Sequence, residues 1–386
     1  MIGGWPDALD FLLGFLALLT LCSVGAVMAG LWAVGRFARL APDVGQDLPP
    51  VTVLKPLCGD EPLLMAALAS ICVQDYPGMQ IVFGVQDPAD PALEVVTQVR
   101  RRFPACDISV VIDTATHGPN RKIGNVINML PAARHDILVI SDSDLHVAPD
   151  YLGQVVAALH EPGAGLVTTV CRGLPTSGGW TARLGASAIS HSFLPGALLS
   201  RVLGREDCLG TTMALRRDTL ARVGGLHALV GHLADDNVLA TRVQQLGLRV
   251  GLAATVPMTA VPEASWRALW QHELRWARTI RALEPMLFAT STLQFPLAWA
   301  GLTLAVSGGA AWACGLFLLA WVVRAGAALG TDRLLSGRAS APIWLLPLRD
   351  AMSVGQVVAS YLGARVVWRG HVMWADDGRS PALSGD

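Results

Sequence analysis

The chain has 386 residues, of which 52% are hydrophobic and 15% charged, and its formal net charge at pH 7 is −1. This near-neutral balance gives no basis for nucleic-acid binding, and the composition is too apolar for an ordinary soluble enzyme. We therefore expect a soluble domain combined with membrane-embedded segments. The seven cysteines are scattered without a CxxC pair, which predicts reduced thiols and a cytosolic soluble part.

The first element is a long apolar segment that begins near Leu9 and has no charged residue between Asp10 and Arg36. Its length is sufficient to cross a bilayer. Arg36 and Arg39 follow it directly, so the positive-inside rule predicts an external N-terminus and a cytoplasmic location for the chain after Arg36. Residues 1–40 are assigned as an N-terminal transmembrane anchor.

Residues 51–262 alternate between short β-branched segments and helix-like segments. The predicted strands are 51–57, 79–86, 107–113, 136–142 and 165–173, with helices at 61–73, 91–103, 122–134 and 149–160. This alternation predicts an α/β domain with a mostly parallel sheet. Because open α/β sheets bind ligands at the carboxyl ends of their strands, we expect the chemistry at those ends.

The remaining segments are typical of a membrane surface or interior. Residues 263–285 predict an amphipathic interface helix rich in Trp and Arg, and residues 290–370 a C-terminal membrane region. Within that region, residues 307–309 could turn the chain between two crossings, although one tilted helix also fits. The segment 342–367 has internal charges and is expected to be interfacial or re-entrant. The apolar segment 178–204 is expected to form a lipid-facing wall or lid.

The stretch ILVISDSDLHV, residues 137–147, carries an apolar run into Asp142 and Asp144. Side chains two residues apart on an extended chain point the same way. Divalent cations such as Mg²⁺ prefer carboxylate oxygens together with substrate phosphates. The pair is thus a candidate holder of a metal–diphosphate, while a helix-capping turn explains it equally well.

Two further acidic pairs lie at comparable places. Asp87 and Asp90 follow the second predicted strand in a Pro-rich turn, where they are either turn formers or ligands beside Asp142. Asp235 and Asp236 precede a helical pattern and either cap that helix or supply a general base, since one carboxylate raises the pKa of its neighbour.

Lys55 and Lys122 are the two lysines of the chain. Lys122 lies with Asn120 at the start of a predicted helix, a position that favours phosphate binding, although a solvated loop fits as well. Lys55 ends the first predicted strand, where it either contacts a ligand or counters nearby acids.

In their order and spacing these features resemble the membrane-anchored family-2-type glycosyltransferases, and more closely the ceramide glucosyltransferase family (glycosyltransferase family 21). The family pattern has aspartates after the second and fourth strands, a third in an ED-type element, and a (Q/R)xxRW helix. The matching residues are Asp90, Asp142, Asp236 and the His272–Trp276 segment, with Asn120 and Lys122 in an N-x-K loop. His272 stands where the family has Gln or Arg.

The resemblance implies a GT-A-type, Rossmann-like sheet and an inverting transfer from a UDP-sugar to a membrane lipid hydroxyl. Asp236 would act as the base, with Arg275 and Trp276 as further catalytic residues. Donor contacts are expected from Lys55, Asp87, Asp90, Asn120, Lys122 and Asp142. His272 and Asp235 would contact the acceptor or the diphosphate. Asp142 and Asp144 would hold a divalent metal, Mg²⁺ or Mn²⁺.

The segments 120–136 and 270–282 resemble the bacterial branch associated with hopanoid biosynthesis. This implies transfer of N-acetylglucosamine from UDP-N-acetylglucosamine to a hopanoid polyol, bacteriohopanetetrol. Alternatives are a ceramide glucosyltransferase using UDP-glucose, a processive polysaccharide synthase, and a membrane-tethered UDP-sugar-binding protein without turnover. The expected location is the bacterial inner membrane, with several crossings and a cytoplasmic catalytic domain. The expected partners are the UDP-sugar, the lipid acceptor and the bilayer.

Overall fold

The computed structural model describes residues 8–40, 45, 48–335, 343–368 and 371–374. The strands are β1 (Val51–Pro56), β2 (Met79–Val85), β3 (Asp107–Ile112), β4 (Ile137–Ser141), β5 (Leu145–His146), β6 (Ala164–Thr168), β7 (Arg172–Pro175), β8 (Thr212–Arg216), β9 (Arg249–Leu252), β10 (Met258–Val261), β11 (Arg365–Trp368) and β12 (His371–Trp374). The helices are α1 (Ala8–Phe37), α2 (Leu64–Cys72), α3 (Ala92–Arg102), α4 (Arg121–Met129), α5 (Tyr151–His160), α6 (Trp180–Ala188), α7 (Leu194–Val202), α8 (Arg217–Arg222), α9 (Asp235–Gln245), α10 (Trp266–Leu283), α11 (Pro285–Thr290), α12 (Pro296–Val306), α13 (Ala311–Leu334) and α14 (Leu346–Ser360).

The chain forms two compact units. The sheet unit comprises Leu40–Ser177, Gly204–Pro262 and Arg365–Asp386. The helical unit comprises Met1–Arg39, Gly178–Leu203 and Glu263–Ala364. The apolar segment 178–203 therefore groups with α1 and the C-terminal helices and not with the sheet.

The main sheet of the sheet unit has seven strands in the order β3-β2-β1-β4-β8-β6-β9. Only β8 runs antiparallel to its neighbours, so the sheet is mostly parallel. Leu54 of β1 lies opposite Val82 of β2 and Ile140 of β4. Successive side chains enter opposite faces, with Val53 in one apolar cluster and Leu54 in the other. Burial on both faces explains why these strands are continuous apolar runs.

The predicted strand 165–173 is wrong as a single element. It divides into β6, which belongs to the main sheet, and β7, which joins a three-stranded sheet of order β5-β10-β7. Thr168 pairs with Leu252 at the end of β9, whereas Arg172 pairs with Met258 of β10. The residue types of this segment favour β-structure along its whole length. Composition therefore cannot show where the chain changes from one sheet to the other.

In the helical unit, α1 and α13 are long and apolar enough to cross a membrane by length and composition, with 30 and 24 residues. Large apolar side chains such as Phe11 and Val322 are exposed on them. The turn expected at 307–309 is present between α12 and α13, with positive φ angles at Gly308 and Gly309. Helix α12 has 11 residues and α14 has 15, so neither matches the length of a full span.

Candidate functional site

The polar site of the sheet unit begins where β4 ends. Asp142 follows Ser141 directly, and its backbone N–H donates to the carbonyl of Thr211 at 3.1 Å. Lys55 is fully buried, and its Nζ donates to the carbonyl of Asp142 at 2.6 Å and to Ser141 Oγ at 3.1 Å. These hydrogen bonds hold the backbone of Asp142 in place. The side chain of Asp142 is 32% exposed and lies at the edge of the sheet.

Lys122 joins this strand end to the neighbouring acids. Its Nζ lies 2.6 Å from Asp142 Oδ1 and donates to the carbonyl of Gly210 at 3.1 Å. Burial disfavours the charged ammonium, but the charges of Asp142, Asp235 and Asp236 outweigh this effect and raise the pKa of Lys122. The side chain is therefore a fixed cation among three carboxylates.

Asp235 and Asp236 form the first turn of α9, whose N-cap is Ala234 without a side-chain cap. Burial first, and then the charge of Asp235, raise the pKa of Asp236 to about 7. Asp236 Oδ1 accepts from the N–H of Asn237 at 2.8 Å. Asp236 is half-buried, and a carboxyl group with a pKa near neutral has the property required of a general base.

Asp235 is held from the side of α4. Asn120 is the N-cap of α4 and accepts from the N–H of Ile123 at 3.0 Å. Its Nδ2 donates to Asp235 Oδ1 at 3.0 Å and to the carbonyl of His232 at 2.8 Å. All hydrogen-bonding groups of this fully buried amide are thus used. Asn120 therefore supports Asp235.

Gly210 is a site residue that the sequence reasoning missed. Its φ of +76° lies in the left-handed region that favours glycine, and a Cβ atom there would lie 2.7 Å from Asp236 Oδ2. Its carbonyl accepts from Lys122. Residue 210 therefore touches both the cation and the candidate base, and the sole sequence signal is a glycine before a strand.

Asp144 lies in the turn between β4 and β5, beside the second sheet. Its Oδ2 accepts from Thr259 Oγ1 of β10 at 2.6 Å. Burial, followed by the charge of Asp142, raises the pKa of Asp144 to about 6, and Glu61 adds to this effect. Glu61 also accepts from Ser143 Oγ. The sequence did not indicate Thr259 or Glu61, because only the tertiary fold brings them close to Asp144.

The carboxylates at 142 and 144 fit a divalent cation in their chemistry. Lys122 uses Oδ1 of Asp142 and Thr259 uses Oδ2 of Asp144, which leaves one oxygen of each carboxylate outside these contacts. The mutual repulsion of the two acids would be relieved by a cation. Within the described part of the chain, no cluster of three or more His, Cys, Asp or Glu side chains is arranged around a metal position. Two carboxylates and substrate phosphates suffice for Mg²⁺.

Asp87 and Asp90 occupy the turn after β2 but differ in environment. Asp90 is 9% exposed, and its two oxygens accept from the N–H of Gly59 at 3.0 Å, while Oδ1 also accepts from Ala92. Asp90 thus joins the loop after β1 to the start of α3. Asp87 is exposed and accepts from Ala89 within its own turn at 2.8 Å, as a turn former does.

The remaining predicted residues lie on α10 in the helical unit. The rings of His272 and Trp276 form an edge contact with centroids 4.6 Å apart. His272 Nδ1 contacts Glu263 Oε1. Arg275 and Trp276 are half-buried in this unit. The sheet unit brings together Lys55, Asn120, Lys122, Asp142, Asp144, Asp235 and Asp236, whereas His272, Arg275 and Trp276 belong to the other unit.

A family model described as glycosyl transferase family 21 matches residues 15–380. Ceramide glucosyltransferase 1 of Caenorhabditis elegans is 24% identical over 260 residues, which cover 66% of this chain and 54% of the relative. A ceramide glucosyltransferase of Gibberella zeae is 33% identical over 130 residues, or 31% of this chain and 25% of the relative. The chain thus spans about half or less of the length of these two curated relatives.

Among solved structures, the fold is similar to a mannosyltransferase from Pyrobaculum calidifontis in complex with GDP-Man and Mn²⁺. The TM-score is 0.56 at 23% identity, covering 90% of this chain and 99% of the other. The predicted α/β fold with a Rossmann-like, mostly parallel sheet is confirmed.

Proposed function

The chain belongs to glycosyl transferase family 21, and from this membership and the carboxylate site we propose that it transfers a sugar from a UDP-sugar to a hydroxyl group of a membrane lipid, with inversion. The observation that carries the proposal is Asp236, a half-buried carboxyl group with a pKa of about 7 near the cation of Lys122. The apolar helices α1 and α13 support a membrane location for the acceptor.

Asp236 is the proposed general base. Its pKa lies close to neutral pH, so the ionised form is available and still has substantial affinity for a proton. It would accept the proton of the acceptor hydroxyl while the oxygen attacks the anomeric carbon opposite the leaving diphosphate. Asp235, held by Asn120, would keep the pKa of Asp236 raised through its charge.

Lys122 is the proposed cation for the donor diphosphate, since its ammonium is charged and 16% exposed beside Asp142. A divalent cation, Mg²⁺ or Mn²⁺, held by Asp142 and Asp144 would neutralise further charge on the diphosphate. The similar mannosyltransferase structure contains Mn²⁺, which supports this assignment. Lys55 would support the site by donating to the carbonyl of Asp142. Its position in the sequence suggested a direct contact with the donor instead.

Arg275 and Trp276 are proposed to take part in catalysis, Arg275 by stabilising the leaving diphosphate. This assignment rests on the family pattern of the α10 motif. Asp90 is proposed to contribute to the nucleoside side of the donor site, and His272 to acceptor or diphosphate contacts. Asp87, an exposed turn former, is assigned to the donor site from its position after β2 alone.

Two observations favour different pairs of sugar and lipid acceptor. The curated relatives are named ceramide glucosyltransferases, which favours glucose from UDP-glucose and a ceramide-like acceptor. The segments 120–136 and 270–282 resemble the hopanoid-associated branch and favour N-acetylglucosamine and bacteriohopanetetrol. We give the first assignment precedence because named relatives support it.

We also propose the domain division 1–40, 51–262, 263–285 and 290–370, with the catalytic domain cytoplasmic and the protein in a bacterial inner membrane. The grouping of 178–203 with the C-terminal helices suggests that the helical unit includes this insertion. A lipid-facing wall formed by this insertion agrees with its apolar composition.

The test uses the purified full chain in lipid nanodiscs, with UDP-glucose or UDP-N-acetylglucosamine paired with ceramide or bacteriohopanetetrol. Mass spectrometry of the lipids identifies the product. One hexose on ceramide is the expected result, and an N-acetylhexosamine on bacteriohopanetetrol would reassign both substrates. A long polymer would indicate a processive synthase, and UDP-sugar binding without any glycolipid would refute the proposed transfer.

A further inference from the structure

A buried ion pair connects α14 to the motif helix α10 within the helical unit. Arg349 of α14 is fully buried, and its Nη1 and Nη2 donate to the two carboxylate oxygens of Glu273 at 2.8 and 2.9 Å. This two-pronged geometry fixes direction as well as distance. Burial of an ion pair is costly unless its geometry is good and its remaining groups are satisfied.

The remaining groups of the pair are satisfied by the next turns of α14. Arg349 Nε donates to Ser353 Oγ at 3.2 Å, and its Nη2 also donates to Gln356 Oε1 at 3.1 Å. The Nε2 of Gln356 donates to Glu273 Oε2. Glu273 therefore receives hydrogen bonds from two residues of α14. The contact specifies one orientation of the glutamate.

A second side of α14 contacts helices α12 and α13 through Asp350. Asp350 is fully buried, accepting from Arg324 Nε of α13 at 3.2 Å and from the N–H of Leu297 of α12 at 3.2 Å. Consecutive residues of α14 thus face different partners: Arg349 faces α10 and Asp350 faces α12 and α13. Arg349 and Asp350 are the two charged residues of α14, within the segment 342–367. Each forms an ion pair within the helical unit.

The apolar side chains of α10 are mostly half-buried, so a buried polar contact adds to the packing that sets the rotation of this helix. Among its 18 residues, Leu269 and Ala277 are the buried ones. Residues three apart share a helix face, so Trp276 lies on the same side of α10 as Glu273. Residues two apart do not face each other, so Arg275 points away from Glu273. Fixing Glu273 therefore fixes the directions in which Arg275 and Trp276 point.

We propose that Arg349 and Gln356 are positioning residues that hold α10, through Glu273, in the rotation that catalysis by Arg275 requires. This inference rests on the proposed function, in which Arg275 stabilises the leaving diphosphate. Arg349 acts at a distance and touches no reacting atom.

The test is a double-variant cycle on kcat, measured with the full chain in nanodiscs at equal amounts of folded protein. We expect Glu273→Gln and Arg349→Met each to lower kcat, up to ~100-fold as for a misplacement of about 1 Å, with the donor KM unchanged. If they act through Arg275, adding either change to Arg275→Ala lowers kcat little further. Full additivity of the losses would overturn the proposal.

Two matched variants separate positioning from general stability. Ser353→Ala removes a contact of Arg349 but none of Glu273, so kcat should stay unchanged, whereas Gln356→Leu removes a donor to Glu273 and should lower kcat. Arg349→Lys keeps the charge but loses the planar fork, so it should remain impaired. Full activity in Arg349→Lys, or equal losses in the Ser353 and Gln356 variants, would contradict a geometric role.

Thermal unfolding of each variant reports folding independently. If Arg349→Met does not fold, the near-isosteric Glu273→Gln carries the test. Wild-type kcat in a folded Glu273→Gln variant refutes the inference. If instead Arg275→Ala keeps full activity, the proposed role of the motif fails, an outcome distinct from failure of the positioning contact.

Discussion

Replacing Gly210 by alanine should disable the site through one added methyl group. Residue 210 has a φ of +76°, where an L side chain costs about 1–2 kcal/mol. The new Cβ would lie 2.7 Å from Asp236 Oδ2, closer than real Cβ contacts, and Asp236 must retreat by several tenths of an ångström. The carbonyl of residue 210 also orients Lys122.

We expect Gly210→Ala to reduce kcat by ~10- to 100-fold, since a displacement of about 1 Å at a reacting group costs about 100-fold. The assay measures glycolipid formation at saturating donor and acceptor, together with thermal unfolding. Gly247→Ala is the matched control, because Gly247 has a φ of +76° and a Cβ added there would have no neighbouring atom within 4 Å. Equal activity in the two alanine variants would refute the proximity argument.

Three further outcomes follow from the same site. Because Asp236 must be ionised to act as a base, kcat/KM should rise with pH through about pH 7 and level off above it, and a flat profile from pH 5 to 8 would contradict this. Lys122→Gln removes a cation that lowers the pKa of Asp236, so the rise should move to higher pH and donor affinity should fall; an unmoved rise would place Lys122 outside the electrostatics of the base. Asp144→Asn should weaken Mn²⁺-dependent donor binding measured by calorimetry, with Asp87→Asn as an exposed control, and equal metal dependence in both variants would exclude Asp144 as a ligand.

The strands β1, β2 and β4 were predictable because they are buried on both faces, whereas β8 and β9 of the same sheet were not among the predicted strands. Met79–Val85 and Ile137–Ser141 are apolar segments followed at once by polar residues, and parallel strands bring those ends to one edge. The proximity of Asp142 to Lys122 therefore follows from strand order together with local sequence.

The remaining features depend on tertiary contacts that leave weak local signals. β6 and β7 read as one strand because composition does not reveal a change of partner. Lys55 is predicted at the ligand edge, but its ammonium turns under Asp142 to satisfy a carbonyl. Gly210 matters because Asp236 approaches it from a distant segment, and Arg349 is explained only by Glu273 on another helix.

The most direct test of the proposed reaction separates chemistry from donor binding in Asp236→Asn. Asparagine keeps the volume of the side chain but cannot accept the acceptor's proton, so glycolipid formation should fall by ~100- to 10,000-fold. The dissociation constant for the UDP-sugar, measured by calorimetry on the same preparation, should remain close to that of the wild type. Near-full turnover in a folded Asp236→Asn variant would contradict the assignment of Asp236 as the catalytic base.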